Sequence, residues 1–182
     1  MESMGTMLPY GQSMMRVIPI ESAIKGDSQA VPYDKISYYL DKYDTFSVSP
    51  CSCRRSRRIL GEGCGHLEDE MCVQMGSGAE YFIKTGKARQ ITRQEAEEIF
   101  RKAEENGLMH QMPNLEGAGE SAAICNCCGC SCFAIRISNM FKCPDAERSN
   151  YHAEINQENC VACGQCVENC PVNAIKLGQK LC

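Results

Sequence analysis

From Thr92 to Asn106, apolar side chains recur at Ala96, Ile99, Phe100 and Ala103, the three-and-four spacing of a single buried helix face. Thr92 and Glu95 form a capping-box pattern ahead of that stripe, and Gly107 supplies a stop behind it. Ile36, Tyr39, Leu40 and Tyr43 repeat the spacing after Pro32, which predicts a second helix with proline near its first turn. A third is expected over Ala79 to Lys84, halted at Gly86. Phe133, Ile137, Met140 and Phe141 predict a fourth. "RVIPIE" (Arg16 to Glu21) alternates as a strand does, and "TFSVSP" reads as a strand that ends just before Cys51. "PNLEGAGESA", residues 113–122, is rich in proline, glycine and polar groups and reads as a linker. The expected class is α+β, with a small α+β domain over residues 1–120 and a second domain over 121–182. Residues 1–15, Met-rich and polar, are expected to be disordered.

Composition changes what such a chain needs to be stable. Fifteen of 182 residues are cysteine, tryptophan is absent, and the apolar fraction of 43% counts the cysteines. An ordinary hydrophobic core must then be modest, and whatever the cysteines hold should add to it. Disulfides need an oxidising compartment. Met1 to Met15 carries no apolar run of a secretory leader, and an odd cysteine count suits a closed disulfide framework poorly. The expectation is a cytoplasmic chain whose thiols bind metal. No stretch reaches the ~20 apolar residues of a membrane span. A net charge of −4 argues against nucleic-acid binding.

The last third of the sequence says which metal chemistry. "CVACGQCVENCP" places Cys160, Cys163, Cys166 and Cys170 at Cys-x-x-Cys-x-x-Cys-x-x-x-Cys-Pro, with Gly164 at the close turn. Three cysteines so spaced wrap a 4Fe–4S cubane, and the fourth ligates the other cluster in two-cluster proteins. The stretch resembles bacterial ferredoxins, including "PVNAI" after Cys170, where the family has a short helical turn and a strand. The resemblance implies a ferredoxin-like domain at the C-terminus and a distant fourth ligand for Cys160, Cys163 and Cys166. Cys143-Pro144, with sixteen residues between Cys143 and Cys160, fits that part. The other cysteines of a first run would fall at Phe133, Arg136 and Asn139, and none is cysteine.

Just upstream, Cys125, Cys127, Cys128, Cys130 and Cys132 crowd a short loop in which Gly129 gives freedom to curl. Three of them with Cys170 would make one cluster, and Cys160, Cys163 and Cys166 with Cys143 another. In the alternative, four loop cysteines close a cluster alone and Cys170 is spare. In the N-terminal half, Cys51, Cys53, Cys64 and Cys72 offer a third site, for a 4Fe–4S cluster or for zinc. His66 could replace one of these cysteines; His110 and His152 read as structural. Arg54, Arg55, Arg57 and Arg58 read as a solvated loop that offsets cluster charge, or as a docking patch for an acidic partner or a phosphate.

The layout also resembles the multi-cluster 4Fe–4S modules of anaerobic flavin and 2-oxoacid oxidoreductases. No nucleophile–base pair, flavin fingerprint or nucleotide loop accompanies the cysteines. The expected role is electron transfer, through about three 4Fe–4S clusters, between a ferredoxin or flavoprotein and a catalytic subunit. Cys127-Cys128-Gly129 resembles the Cys-Cys-Gly element of heterodisulfide-reductase-type catalytic subunits, which makes an enzyme one alternative. A redox or metal sensor is another.

Overall fold

The computed structural model describes residues 13–24, 34–114, 120–142, 147–151 and 153–176. In chain order the elements are β1 (Met15–Ile18), a 3-10 turn (Glu21–Ala23), α1 (Ile36–Lys42), β2 (Phe46–Ser49), α2 (Ser52–Ile59), β3 (Cys72–Met75) and α3 (Gly76–Lys84). Then follow β4 (Arg89–Ile91), α4 (Arg93–Glu105), β5 (Met109–Pro113), β6 (Ala123–Cys127), α5 (Phe133–Phe141), β7 (Glu147–Arg148) and α6 (Gln165–Asn169).

Helix α4 begins where its sequence says it should. Glu95 N–H donates to Thr92 Oγ1 at 3.1 Å and Thr92 N–H donates to the Glu95 carboxylate at 2.8 Å, so two amides left open at the helix start are satisfied reciprocally. Its stripe of Ala96, Ile99, Phe100 and Ala103 is buried. The stripe joins Tyr39, Leu40, Phe46, Val48, Val73 and Ile124 in the main core.

The strands form one mixed sheet in the order β4-β2-β3-β6-β5-β1-β7. Pairing is antiparallel from β4 to β1, and β7 adds in parallel to β1. Strand β6 lies beyond the expected boundary at residue 120, yet it sits between β3 and β5, so the sheet draws strands from both stretches. The α+β class is as expected.

Several local expectations need correction. The Arg54–Arg58 stretch is not a loop but lies within α2. Helix α5 forms as expected, with Phe133, Met140 and Phe141 exposed and Ala134 and Ile135 buried. After Cys170, Pro171 and Val172 make a turn, but 173–176 form no strand. A second, smaller core consists of Cys127, Cys132, Ala134 and Ile135, so thiols do supply part of the packed interior. Cys143 and His152 lie outside the described residues, as do most of residues 1–15 and the middle of the expected linker.

Candidate metal centres

Strand geometry brings the first thiols together. Cys72 on β3 stands opposite Cys125 on β6, with Val73 opposite Ile124 beside them. Because side chains alternate along a strand, Cys127 shares the face of Cys125, while Ile124 turns into the main core and Asn126 lies opposite His110 of β5. Cys125 hydrogen-bonds to both Cys72 and Cys127, and Cys127 in turn to Cys132. Cys51, the N-cap of α2, hydrogen-bonds to Cys53, and Cys53 also faces the amide of Phe133 at the start of α5. Cys53 interacts electrostatically with Cys125 and Cys132, and Cys51 with Cys72. Cys51, Cys53, Cys72, Cys125, Cys127 and Cys132 therefore make one connected thiol group. It lies where the N-termini of α2 and α5 converge, an end of a helix that favours negative charge.

Shared S–H groups split the acidities in this group. Hydrogen bonds from Cys127 and Cys72 hold the Cys125 thiol well below its usual range, and the same bonds push Cys127 and Cys72 up. The bond from Cys51 brings Cys53 down to about 6. Thiols whose ionised form is stabilised by neighbouring thiols release their protons readily, and the thiolates left behind are ligands for a thiophilic cation.

A second group assembles beside the first. The sulfurs of Cys64, Cys128 and Cys130 all lie within 4.8 Å of one another. Cys64 Sγ is 3.8 Å from Cys128 Sγ and 3.3 Å from Ser131 Oγ. Burial raises Cys64, but hydrogen bonds from Cys130, Ser131, the His66 amide and Cys128 together outweigh it and bring the thiol down to about 6. Burial and the bond to Cys64 push Cys130 up to about 12.

Arg54 of α2 stands between the two groups: it reaches Cys128 and also interacts electrostatically with Cys51, Cys53, Cys125 and Cys127. Its residue is 2% exposed, and Nη1 donates to the Asn126 carbonyl at 2.9 Å and to Cys128 Sγ at 3.6 Å. Its Nε and Nη2 are buried with no hydrogen-bond acceptor among the described residues. A buried cation with two open donors calls for an anion, because leaving such groups unpaired is costly. Asn126, which positions Arg54, is fixed in turn: Nδ2 donates to the Met71 carbonyl at 3.2 Å, and Oδ1 is 2.7 Å from His110 Nδ1. Arg55 and Arg58 are surface groups, whereas Arg57 is half-buried and also buries its Nε without a hydrogen-bond partner among the described residues. Arg57 pairs with Glu62 and Arg58 with Glu68, while Arg55 is exposed.

The C-terminal run reaches the same place. A Cβ at Gly129 would collide with the Pro171 carbonyl oxygen, so glycine serves close approach here rather than unusual backbone angles. Asn139 Nδ2 donates to the same carbonyl at 3.3 Å. Cys170 then lines a cavity of about 340 Å³ together with Cys128, Cys130 and His66. Within the run, Gly164 adopts φ +80° as the N-cap of α6, the left-handed turn for which glycine was expected. Cys160, Cys163 and Cys166 lie around that turn, with Cys163 exposed and the other two half-buried.

The thiols are thus grouped by fold rather than by order in the sequence. Cys64 stands with Cys128 and Cys130, whereas Cys51, Cys53 and Cys72 stand with Cys125, Cys127 and Cys132. His66 Nδ1 lies 3.1 Å from Asn106 Oδ1. His110 is structural, held between Asn126 and Glu104 with Phe100 edge-on. Sequence reading took Arg54 together with Arg55, Arg57 and Arg58 as offsetting cluster charge, and the structure singles it out for burial. Its one signal is position: it lies three residues after Cys51, on the same helical face.

Residues 153–176 match the 4Fe-4S binding domain family (Fer4). The match supports at least one 4Fe–4S cluster and an iron–sulfur electron-transfer role. No curated protein and no solved structure matches the chain. Among the described residues, no helix is long and apolar enough to cross a membrane.

Proposed function

We propose that this chain is an iron–sulfur electron-transfer protein or subunit that relays single electrons through about three 4Fe–4S clusters to a partner oxidoreductase. The observation that carries the reading is the 4Fe-4S binding domain match at residues 153–176, whose Cys170 is drawn to a loop dense in thiols. One cluster takes Cys160, Cys163 and Cys166, with Cys143 as the distant ligand the run requires. The remaining ligands come from Cys51, Cys53, Cys64, Cys72, Cys125, Cys127, Cys128, Cys130, Cys132 and Cys170.

When bound, a 4Fe–4S cluster supplies one-electron chemistry, and burial and hydrogen bonding to sulfur set its potential. The chain's own contribution is visible in its side chains and amides. The half-buried Cys51 and the buried Cys132 are the N-caps of α2 and α5, and Arg54 offers positive charge where thiolates would gather. The partner is a ferredoxin, flavoprotein or catalytic subunit of the cytoplasm.

Anaerobic purification tests this directly. About twelve iron and twelve sulfide per chain are expected, with visible absorption that bleaches under dithionite and returns on reoxidation. Steady turnover of a disulfide or thioester by the chain alone would turn the assignment towards an enzyme. A preparation free of iron and sulfide would end it.

A further inference from the structure

We propose that Cys64, Cys128, Cys130 and Cys170 hold one 4Fe–4S cluster, with Arg54 as its buried counter-cation. This assignment rests on the iron–sulfur reading above and names the ligands of one centre within it.

Four observations converge on the site. Three sulfurs from two distant stretches, the loop between α2 and β3 and the turn after β6, already lie within 4.8 Å of one another. Cys170 opens into the cavity that Cys128 and Cys130 line, and its position is fixed by the contact of Pro171 with Gly129. Arg54 and Cys64 line a second cavity that adjoins the first at His66. Finally, Arg54 buries two donors with no acceptor among the described residues, as expected of a cation placed for an anionic group. Four thiolates around a cubane leave it net negative, so the arginine and the cluster offset one another.

A zinc ion would also accept four thiolates, and the 3.8 Å between the Cys64 and Cys128 sulfurs suits a tetrahedral ion. What favours the cubane is Cys170, which comes from the run that matches the 4Fe-4S binding domain family. The six-thiol group is left with Cys51, Cys53, Cys72, Cys125, Cys127 and Cys132, more than enough for a second cluster without borrowing from this site.

The test is whether Cys64 and Cys130 act on the same metal. In protein purified anaerobically, Cys64→Ser and Cys130→Ser should each lower iron by about four per chain. The double variant should lose no more than either single one, whereas Cys64→Ser with Cys53→Ser should lose about eight. Additive loss in the Cys64/Cys130 pair overturns the assignment, as does undiminished iron in Cys64→Ser. Zinc in place of iron that disappears with Cys64→Ser overturns it too. A wild-type chain without iron would instead remove the underlying reading, so the two failures are distinct. Arg54 gives a measurement that does not depend on losing a ligand. Arg54→Gln should shift one cluster's midpoint potential downward while Arg54→Lys largely restores it, and potentials unchanged in both would refute the counter-cation.

Discussion

Cys72 and Cys125 face each other across β3 and β6 and hydrogen-bond through their thiols, although fifty-two residues separate them in the chain. The strand pairing that brings them together depends on backbone bonds and on Val73 and Ile124 in the core, not on sulfur. Cys125→Ala should therefore keep the far-ultraviolet circular dichroism of the parent while losing about four iron per chain. Loss of the sheet along with the iron would show that the thiol group is needed to build β6.

Acidity separates Cys64 from Cys130. In the iron-free chain at pH 7.5, iodoacetamide should modify Cys64, held at about 6, well before Cys130, pushed up to about 12. The Cys64 rate should fall as pH drops through about 6. Its lowered pKa also stabilises the fold fully above the unfolded value of about 8.5, and that contribution declines as pH falls towards the folded value. Mass spectrometry of peptides after timed quenching reads the rates.

His110 is 1% exposed and bridges Asn126 to Glu104. His110→Leu strands both partners, one of which carries the Arg54 contact, and should cost about 2 kcal/mol in anaerobic denaturant unfolding.

Thr92→Ala removes the cap of α4 and should cost about 1 kcal/mol. No thiol touches that cap, so iron content should be unchanged. A fall in iron would mean that α4 supports the centres more directly than its packing indicates.

Gly129→Ala places a methyl group against the Pro171 carbonyl. The loop and the C-terminal run must then move apart, and iron should drop by about four per chain with helix content retained. Colorimetric iron analysis beside circular dichroism distinguishes this from general unfolding.

How much of this could be read from the chain varied with the physics of each segment. Helix α4 was fully legible, since a cap, an apolar stripe and a glycine stop all agree. The ferredoxin run was legible because cubane ligation fixes its spacing. Strand β6 was not: its alternation of Cys125, Asn126 and Cys127 is a strand pattern, but cysteine belongs equally to a core, a loop and a metal site. Arg54 was hidden among three similar neighbours, and only the helical turn of α2 selects it for burial. The partition of thiols into two groups depends on which strands pair, and no local spacing encodes that. The spacing of Phe133, Met140 and Phe141 revealed α5 as a helix but not that these side chains are exposed, because periodicity marks a face and not what covers it.

The place of β6 in the sheet bears on biogenesis. During synthesis β3 and β5 emerge first, and each keeps an open edge until residues 123–127 leave the ribosome to join them. Open edges invite pairing with other chains. The same short segment that closes the sheet also carries Cys125 and Cys127, so a nascent chain stalled before it lacks both its keystone strand and two of its sulfurs. Maturation factors that deliver iron would then meet the strand edges and the thiols in one event, and protection from aggregation would arrive together with the metal-binding face.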